Sequence, residues 1–214
     1  VSNKQYKPNI IIGLVCGVLL PFGVAGNSEF FFIVLAILAA FLVNIKQNPE
    51  TAFLNTTITL FGLVYVGLLF SSLVTLRDFL QGPMWVAYVI CVTKLGDAGA
   101  YFVGTTIGKT YPFKRISPHK TLEGAIGGLI VSVIISLVLY GFFRDIWVGH
   151  FIILGVALSI VAQLGDFAES IIKRECDVKD SGSIPGLGGI LDILDGILFA
   201  VPFLVFYIQF VIQG

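Results

Sequence analysis

The chain has 214 residues, of which 57% are apolar and only 12% charged, and its mean hydropathy is +0.96; soluble domains run at about 45–50% apolar and 25% charged, so an ordinary soluble protein is excluded. Its 13 Lys and Arg cancel 13 Asp and Glu, which leaves no global charge to recruit nucleic acid. Cys16, Cys91 and Cys176 stand far apart, so neither a disulfide framework nor a CxxC metal site is on offer.

A membrane helix needs roughly 20 mostly apolar residues. Seven runs bounded by charge, Pro or Gly-rich breaks meet or approach that length: 9–25, 29–44, 53–76, 84–105, 122–143, 148–170 and 190–212. The first two are short and meet at a tight turn around Gly26 and Asn27, which also suits a helical hairpin. The expected fold is all-α: a polytopic integral membrane helical bundle of about seven transmembrane helices. Residues 1–80 form its N-terminal part, facing lipid or a second copy. Residues 81–214 carry the chemistry, with polar loops at 106–121 and 171–187. The chain opens with Val1 and shows no cleavable signal pattern, so a longer parent chain with additional N-terminal residues is expected. No internal repeat of transporter type stands out.

If all seven runs cross, one side holds Lys4, Lys7, Lys46, Lys109, Lys114, Arg115, Lys120, Lys173, Arg174 and Lys179, and the other only Arg77 and Arg144. Ten against two places the first side, with both polar loops, in the cytoplasm. The expected location is the cell's inner, cytoplasmic membrane, with the N-terminus inside.

The charges are concentrated. Residues 94–123 and 166–195 together hold 17 of the 26. Lys94 and Asp97 fall inside the fourth run, Asp166 and Glu169 late in the sixth, and Asp192 and Asp195 early in the seventh. An ionised group at membrane depth costs a few kcal/mol, so it is normally paired or lines a wet cavity. On a helix, Lys94, Asp97 and Tyr101 share one face, as do Asp166, Glu169 or Ser170, and Lys173; Asp192 and Asp195 form an i, i+3 pair. Crowded carboxylates call for protonation or a bound cation. With no Cys or His among the ligands, the ion is hard and oxygen-loving, which points to Mg2+.

Two loops adjoin these stripes. KDSGSIPGLGG runs from Lys179 and Asp180 through Gly182, Gly186, Gly188 and Gly189 to the start of the seventh helix. It reads either as a plain flexible connection or as a phosphate cradle, since glycines let backbone N–H groups approach an anion at a helix start. GKTYPFKRISPHKTLEGAIGG adds Lys109, Lys114, Arg115, Ser117, His119, Lys120, Thr121 and Glu123. Its basic residues satisfy the positive-inside rule or meet phosphates, and Thr121 is placed to cap the fifth helix. Carboxylates for a metal beside lysines for a polyphosphate is the usual arrangement for phosphoryl and nucleotidyl transfer.

These residues resemble a known family. SIIKRECDVKDSGSIPGLGGILDILD (170–195) is similar to the C-terminal signature of CDP-diacylglycerol synthases (phosphatidate cytidylyltransferases). GDAGAYFVGTTIGK (96–109) and RISPHKTLEGAIGG (115–128) are similar to that family's other characteristic stretch. The matches cover about a quarter of the chain. The resemblance implies CTP and phosphatidic acid as substrates, CDP-diacylglycerol and pyrophosphate as products, a homodimer, and Mg2+ accompanied by K+. It implies that Asp166, Asp192 and Asp195 bind the metal. Asp166, Lys173, Lys179, Asp180, Asp192 and Asp195 form its catalytic set, and Asp97, Ser117, Lys120, Thr121, Ser170, Arg174, Gly188 and Gly189 its binding set. Leu187 and Ile193 depart from the family pattern, which has His and Arg there.

The expected reaction is attack of a phosphatidic acid oxygen on the α-phosphorus of CTP. One alternative is a CTP-dependent polyprenol or phytol kinase, distinguished by release of CDP. A non-enzyme alternative is a cation-coupled membrane transporter, which predicts no nucleotide dependence.

Overall fold

The computed structural model describes residues 9–25, 28–44, 49–114, 116–143, 146–175 and 190–213, which contain helices and no strand. In order these are α1 (Ile10–Ala25), α2 (Glu29–Asn44), α3 (Pro49–Gly62), a π-helical stretch (Leu63–Leu68), α4 (Leu69–Asp78), α5 (Gly82–Ile107), α6 (Leu122–Tyr140), α7 (Val148–Glu175) and α8 (Ile190–Tyr207), the last continued by a second π-helical stretch (Ile208–Ile212). Because α3 runs through the π turn into α4 without a break, the described residues make seven rods. Among the described residues, five segments are long and apolar enough to cross a membrane: Ala52–Asp78, Gly82–Ile107, Leu122–Tyr140, Val148–Glu175 and Leu194–Ile212. At 16 residues each, α1 and α2 reach roughly 24 Å, short of the ~30 Å hydrocarbon core. Large apolar side chains such as Phe102, Ile126, Ile160 and Phe210 are exposed on the rods, as befits a multi-pass membrane protein. The limits differ by up to five residues from those read in the sequence, the third and fourth runs being longer at both ends (49–78 and 82–107). α7 carries on to Glu175, because Lys173 and Arg174 sit well in a last turn whose carbonyls carry partial negative charge. α6 stops at Tyr140, where Gly141 starts a short turn.

The chain divides into two compact units, Val1–Leu80 and Gln81–Gly214. In the first, Asn9 Oδ1 accepts the Ile12 N–H (3.0 Å) and so caps α1, while the Asn9 N–H donates to Thr59 Oγ1 (3.0 Å). Leu20, Ala36 and Leu63 form its core with Cys16, Phe32 and Ile33 against them.

The second unit is built on small residues. Lipid tails are as apolar as the helices, so helices in a bilayer associate by close packing and hydrogen bonds rather than by hydrophobic burial. Along α5, Gly96, Ala100 and Gly104 recur every fourth residue and meet Gly124, Gly128 and Ser132 of α6. A Cβ on Gly124 would stand 2.7 Å from the Ala100 carbonyl oxygen, and one on Gly128 2.9 Å from Ala100 Cβ. Ser132 Oγ donates to the Val92 carbonyl (3.1 Å), and Ser136 lies between Tyr88 Oη and the Phe151 carbonyl, 2.5 Å from each. Gly155 lets α7 close on Val133 of α6. Nearer the start of α5, Trp85, Tyr88, Phe143 and Phe151 pack ring on ring.

Overpacking of this kind costs typically 1–3 kcal/mol. Gly128→Leu is therefore expected to lower the thermal unfolding midpoint of the detergent-solubilised protein by several degrees, whereas Gly13→Ala, with nothing within 4 Å of its would-be Cβ, leaves it unchanged. Equal midpoints for the two variants would contradict the close-packing account.

Candidate functional site

The crossing of α7 and α8 sets the site. A Cβ on Gly165 would fall 2.6 Å from the Asp195 carbonyl oxygen, and one on Gly196 would meet Ala162 Cβ at 3.2 Å and Asp166 Oδ1 at 3.3 Å. The two glycines thus let the helices touch where each carries an aspartate, and the Asp166 and Asp195 carboxyls adjoin. The Gly196 N–H donates to Asp195 Oδ1 at 2.7 Å. α5 supplies the third carboxylate: Lys94 Nζ is 3.1 Å from Asp97 Oδ2 on its own helix and 3.7 Å from Asp195 Oδ1. Carboxylates of α5 and α8 therefore share one ammonium group, and Asp166 of α7 adjoins the second of them.

The loop between α5 and α6 closes over this nest. Thr121 Oγ1 accepts the Gly124 N–H (3.1 Å) and caps α6, as its place in the sequence predicts. Glu123 in the same first turn accepts the backbone N–H groups of Lys109 and Thr110, both at 3.1 Å, and the Thr110 hydroxyl at 2.8 Å. The far side of the loop is fastened to α7. Arg174 Nε donates to the Ile116 carbonyl (3.3 Å), and Phe113 meets Phe167 edge to face. Lys120 Nζ lies 3.3 Å from Asp166 Oδ2 and 4.5 Å from the Phe167 ring centre. That nitrogen is shielded from solvent and, beyond the ion pair, makes no hydrogen bond among the described residues.

Together these elements enclose a cleft of about 680 Å³ whose walls include Asp97, Ser117, Lys120, Thr121, Gln163 and Asp166. Such a volume suits a nucleotide-sized ligand. Gln163 donates through Nε2 to the Ala125 carbonyl and Ser159 Oγ, both 3.2 Å away.

The structure thus brings Asp97, Ser117, Lys120, Thr121 and Asp166 to one cleft, with Asp195 beside Asp166. It divides the α7 stripe. Glu169 is buried to 1% exposure and pairs with Lys173 at 3.1 Å; neither they nor the half-buried Ser170 line the cleft. Arg174, read as a ligand-binding residue, fastens the loop in this structure. Lys179, Asp180, Gly188 and Gly189 lie outside the described residues, as does the side chain of Asp192, whose backbone forms the first turn of α8. Sequence reading missed Gln163 and the loop anchors Phe113 and Phe167. Gln163 lies one turn before Asp166, the only signal the chain offers for it.

A hard divalent cation fits here. Among the described residues no three acidic, His or Cys side chains converge on a point. Mg2+, however, characteristically takes one or two carboxylates and completes its shell with water and substrate phosphates. Asp166 Oδ1 is a buried carboxylate oxygen with no hydrogen-bond partner among the described residues, and Asp195 is its neighbour.

A model of the cytidylyltransferase family matches residues 3–211. Curated relatives named phosphatidate cytidylyltransferase include those of Bacillus subtilis (strain 168), 40% identical over 147 residues, and Staphylococcus haemolyticus (strain JCSC1435), 42% identical over 165. A third, from Staphylococcus aureus (strain COL), is 41% identical over 163 residues. These alignments cover 67%, 75% and 75% of this chain, but 54%, 62% and 62% of the relatives, so the chain spans little more than half their length.

Removing the Glu123 carboxylate frees the loop it caps. Glu123→Ala is expected to speed tryptic cleavage at the exposed Lys114 by about tenfold, by favouring local opening, with helix content by circular dichroism unchanged. An unaltered cleavage rate would show that the loop is held by something else.

Proposed function

Starting from the cytidylyltransferase family, to which this chain belongs, we propose that it is the catalytic part of a phosphatidate cytidylyltransferase. In this reading CTP and phosphatidic acid are converted to CDP-diacylglycerol and pyrophosphate. The observation that carries the reading is the meeting of Lys120 and Asp166 at 3.3 Å in the wall of one cleft. A cation-ready carboxylate and a phosphate-ready ammonium stand side by side, which is what a nucleoside triphosphate with its metal requires. The names of the curated relatives support the choice of substrates.

In the proposed reaction an oxygen of the lipid phosphate forms a bond to the α-phosphorus of CTP, and the bond from that phosphorus to the bridging oxygen breaks. Pyrophosphate leaves with the electron pair. The lipid phosphate has a second pKa of about 6, so the nucleophile is already ionised near neutral pH. Positioning and charge screening matter more than a strong base. When bound, Mg2+ screens the phosphate charges and polarises their oxygens. Asp166 and Asp195, with Asp192, would hold it. Lys120 exchanges its Asp166 partner for a phosphate of the nucleotide, and Ser117 and Thr121 offer hydroxyls beside it. Lys179, in the second polar loop, would add positive charge for the departing pyrophosphate. The acyl chains stay among the exposed apolar side chains of the rods while the headgroup reaches the cleft. The excess of Lys and Arg in the two polar loops supports a cytoplasmic position for that cleft.

The test is turnover of CTP with phosphatidic acid vesicles. Asp166→Asn is expected to cut kcat by about 100-fold or more, since a charge-stabilising group in a dry site is worth several kcal/mol. Wild-type turnover surviving in that variant refutes the assignment. Chelation with EDTA is expected to abolish turnover and added Mg2+ to restore it. CTP with Mg2+ is expected to raise the thermal unfolding midpoint, and ATP with Mg2+ to raise it less, because only a ligand of the folded state stabilises it.

A further inference from the structure

Lys94 is not explained by the proposed reaction. It sits in the middle of α5, twelve residues after Gly82 and thirteen before Ile107, so unlike Lys120 it is not carried on a loop. Its ammonium lies 3.1 Å from Asp97 Oδ2 and 3.7 Å from Asp195 Oδ1 and so ties α5 to α8. Asp195 Oδ1 is held twice, by that ammonium and by the Gly196 N–H at 2.7 Å. One oxygen of Asp195 is thus committed to the protein, so a ligand would be met by the other. The charge count has the same form. Asp97, Asp166 and Asp195 carry three negative charges against Lys94 and Lys120, and when Lys120 moves to a phosphate, Lys94 is the counter-ion that stays.

We propose that Lys94 is a positioning residue that fixes which oxygen of Asp195 is presented to a divalent cation and weakens the pocket's grip on that cation. The proposal rests on the reading of the cleft as a nucleotide site. A lysine serving only to neutralise Asp97 would leave Asp195 and the cation unaffected when removed. A positioning lysine ties cation affinity and turnover together, in opposite directions. Removing the ammonium takes away a repelling charge, so the cation binds more tightly, but Asp195 is no longer aimed and reaction geometry is lost.

The experiment uses Lys94→Met, which keeps the chain length without the charge, and Lys94→Arg, which keeps the charge. Both are checked for wild-type helix content and thermal midpoint. Mn2+ binding to the purified protein without nucleotide is titrated by electron paramagnetic resonance, and kcat and KM for CTP are measured separately. Lys94→Met is expected to bind Mn2+ about threefold more tightly or better, and to lose about tenfold or more in kcat with KM little changed. Lys94→Arg is expected to recover most of that kcat. A smaller gain in Mn2+ affinity, or a Lys94→Arg variant no better than Lys94→Met, overturns the proposal. If the wild type binds Mn2+ but turns over no CTP, the functional reading fails, while the Mn2+ titration still decides the role of Lys94. If Lys94→Met misfolds, Lys94→Arg against the wild type carries both measurements: unchanged Mn2+ affinity and kcat are then expected, and loss of both overturns the proposal.

Discussion

The contact on which the site depends is the touching of α7 and α8 at Gly165 and Gly196. No side chain separates the two backbones there: a methyl on either glycine would run into Asp195's carbonyl or into Ala162. That approach brings Asp166 and Asp195 together in a place where water is scarce. Two adjoining carboxylates at membrane depth are costly unless positive charge accompanies them. The structure supplies it from two directions, Lys94 from within α5 and Lys120 from the loop before α6. The two lysines differ in kind: one is fixed by a helix, the other rides on a loop held at both ends.

The rest of the second unit serves this arrangement. The small-residue seam of α5 and α6 holds α5 close, so that Lys94 and Asp97 reach the α7 and α8 pair, and it places the first turn of α6 under the loop. Glu123 then ties that loop to the helix start through Lys109 and Thr110, and Arg174 ties it to the end of α7. Polar residues at a helix start and a helix end thus shape the cleft mouth, while glycines set its floor. The apolar faces left over on the rods would let the proposed lipid substrate remain in its own solvent while its phosphate is handled elsewhere.

Much of this was legible in the sequence, for a physical reason. Membrane helices announce themselves by length and apolarity alone, so the seven rods stood close to their read positions. Charges inside such runs are rare enough that Lys94, Asp97, Asp166 and Asp195 stood out. Thr121 was readable as a cap because a hydroxyl before a long apolar run has few other uses. Periodicity, however, says which residues share a face and not what the face meets. It placed Asp166, Glu169 and Lys173 together, whereas the helix directs Asp166 to the cleft and pairs Glu169 with Lys173 away from it. Nor can it foresee a contact across helices, such as that of Lys94 with Asp195 or Gln163 with Ala125, because these depend on where glycines allow two backbones to meet. The π-helical stretches at Leu63–Leu68 and Ile208–Ile212 left no mark in the apolar pattern, because a π turn changes the backbone pitch and not the apolarity of the run.

The central claim is that carboxylates from separate helices gather a divalent cation and a nucleotide's phosphates at one point. It is tested most directly by bound Mn2+ in the presence of CTP, read by phosphorus electron–nuclear double resonance. The account predicts phosphorus couplings from metal-bound phosphate oxygens in the wild type and their loss in Asp195→Asn. Couplings that persist unchanged in that variant, or a bound Mn2+ that shows none in the wild type, would contradict it.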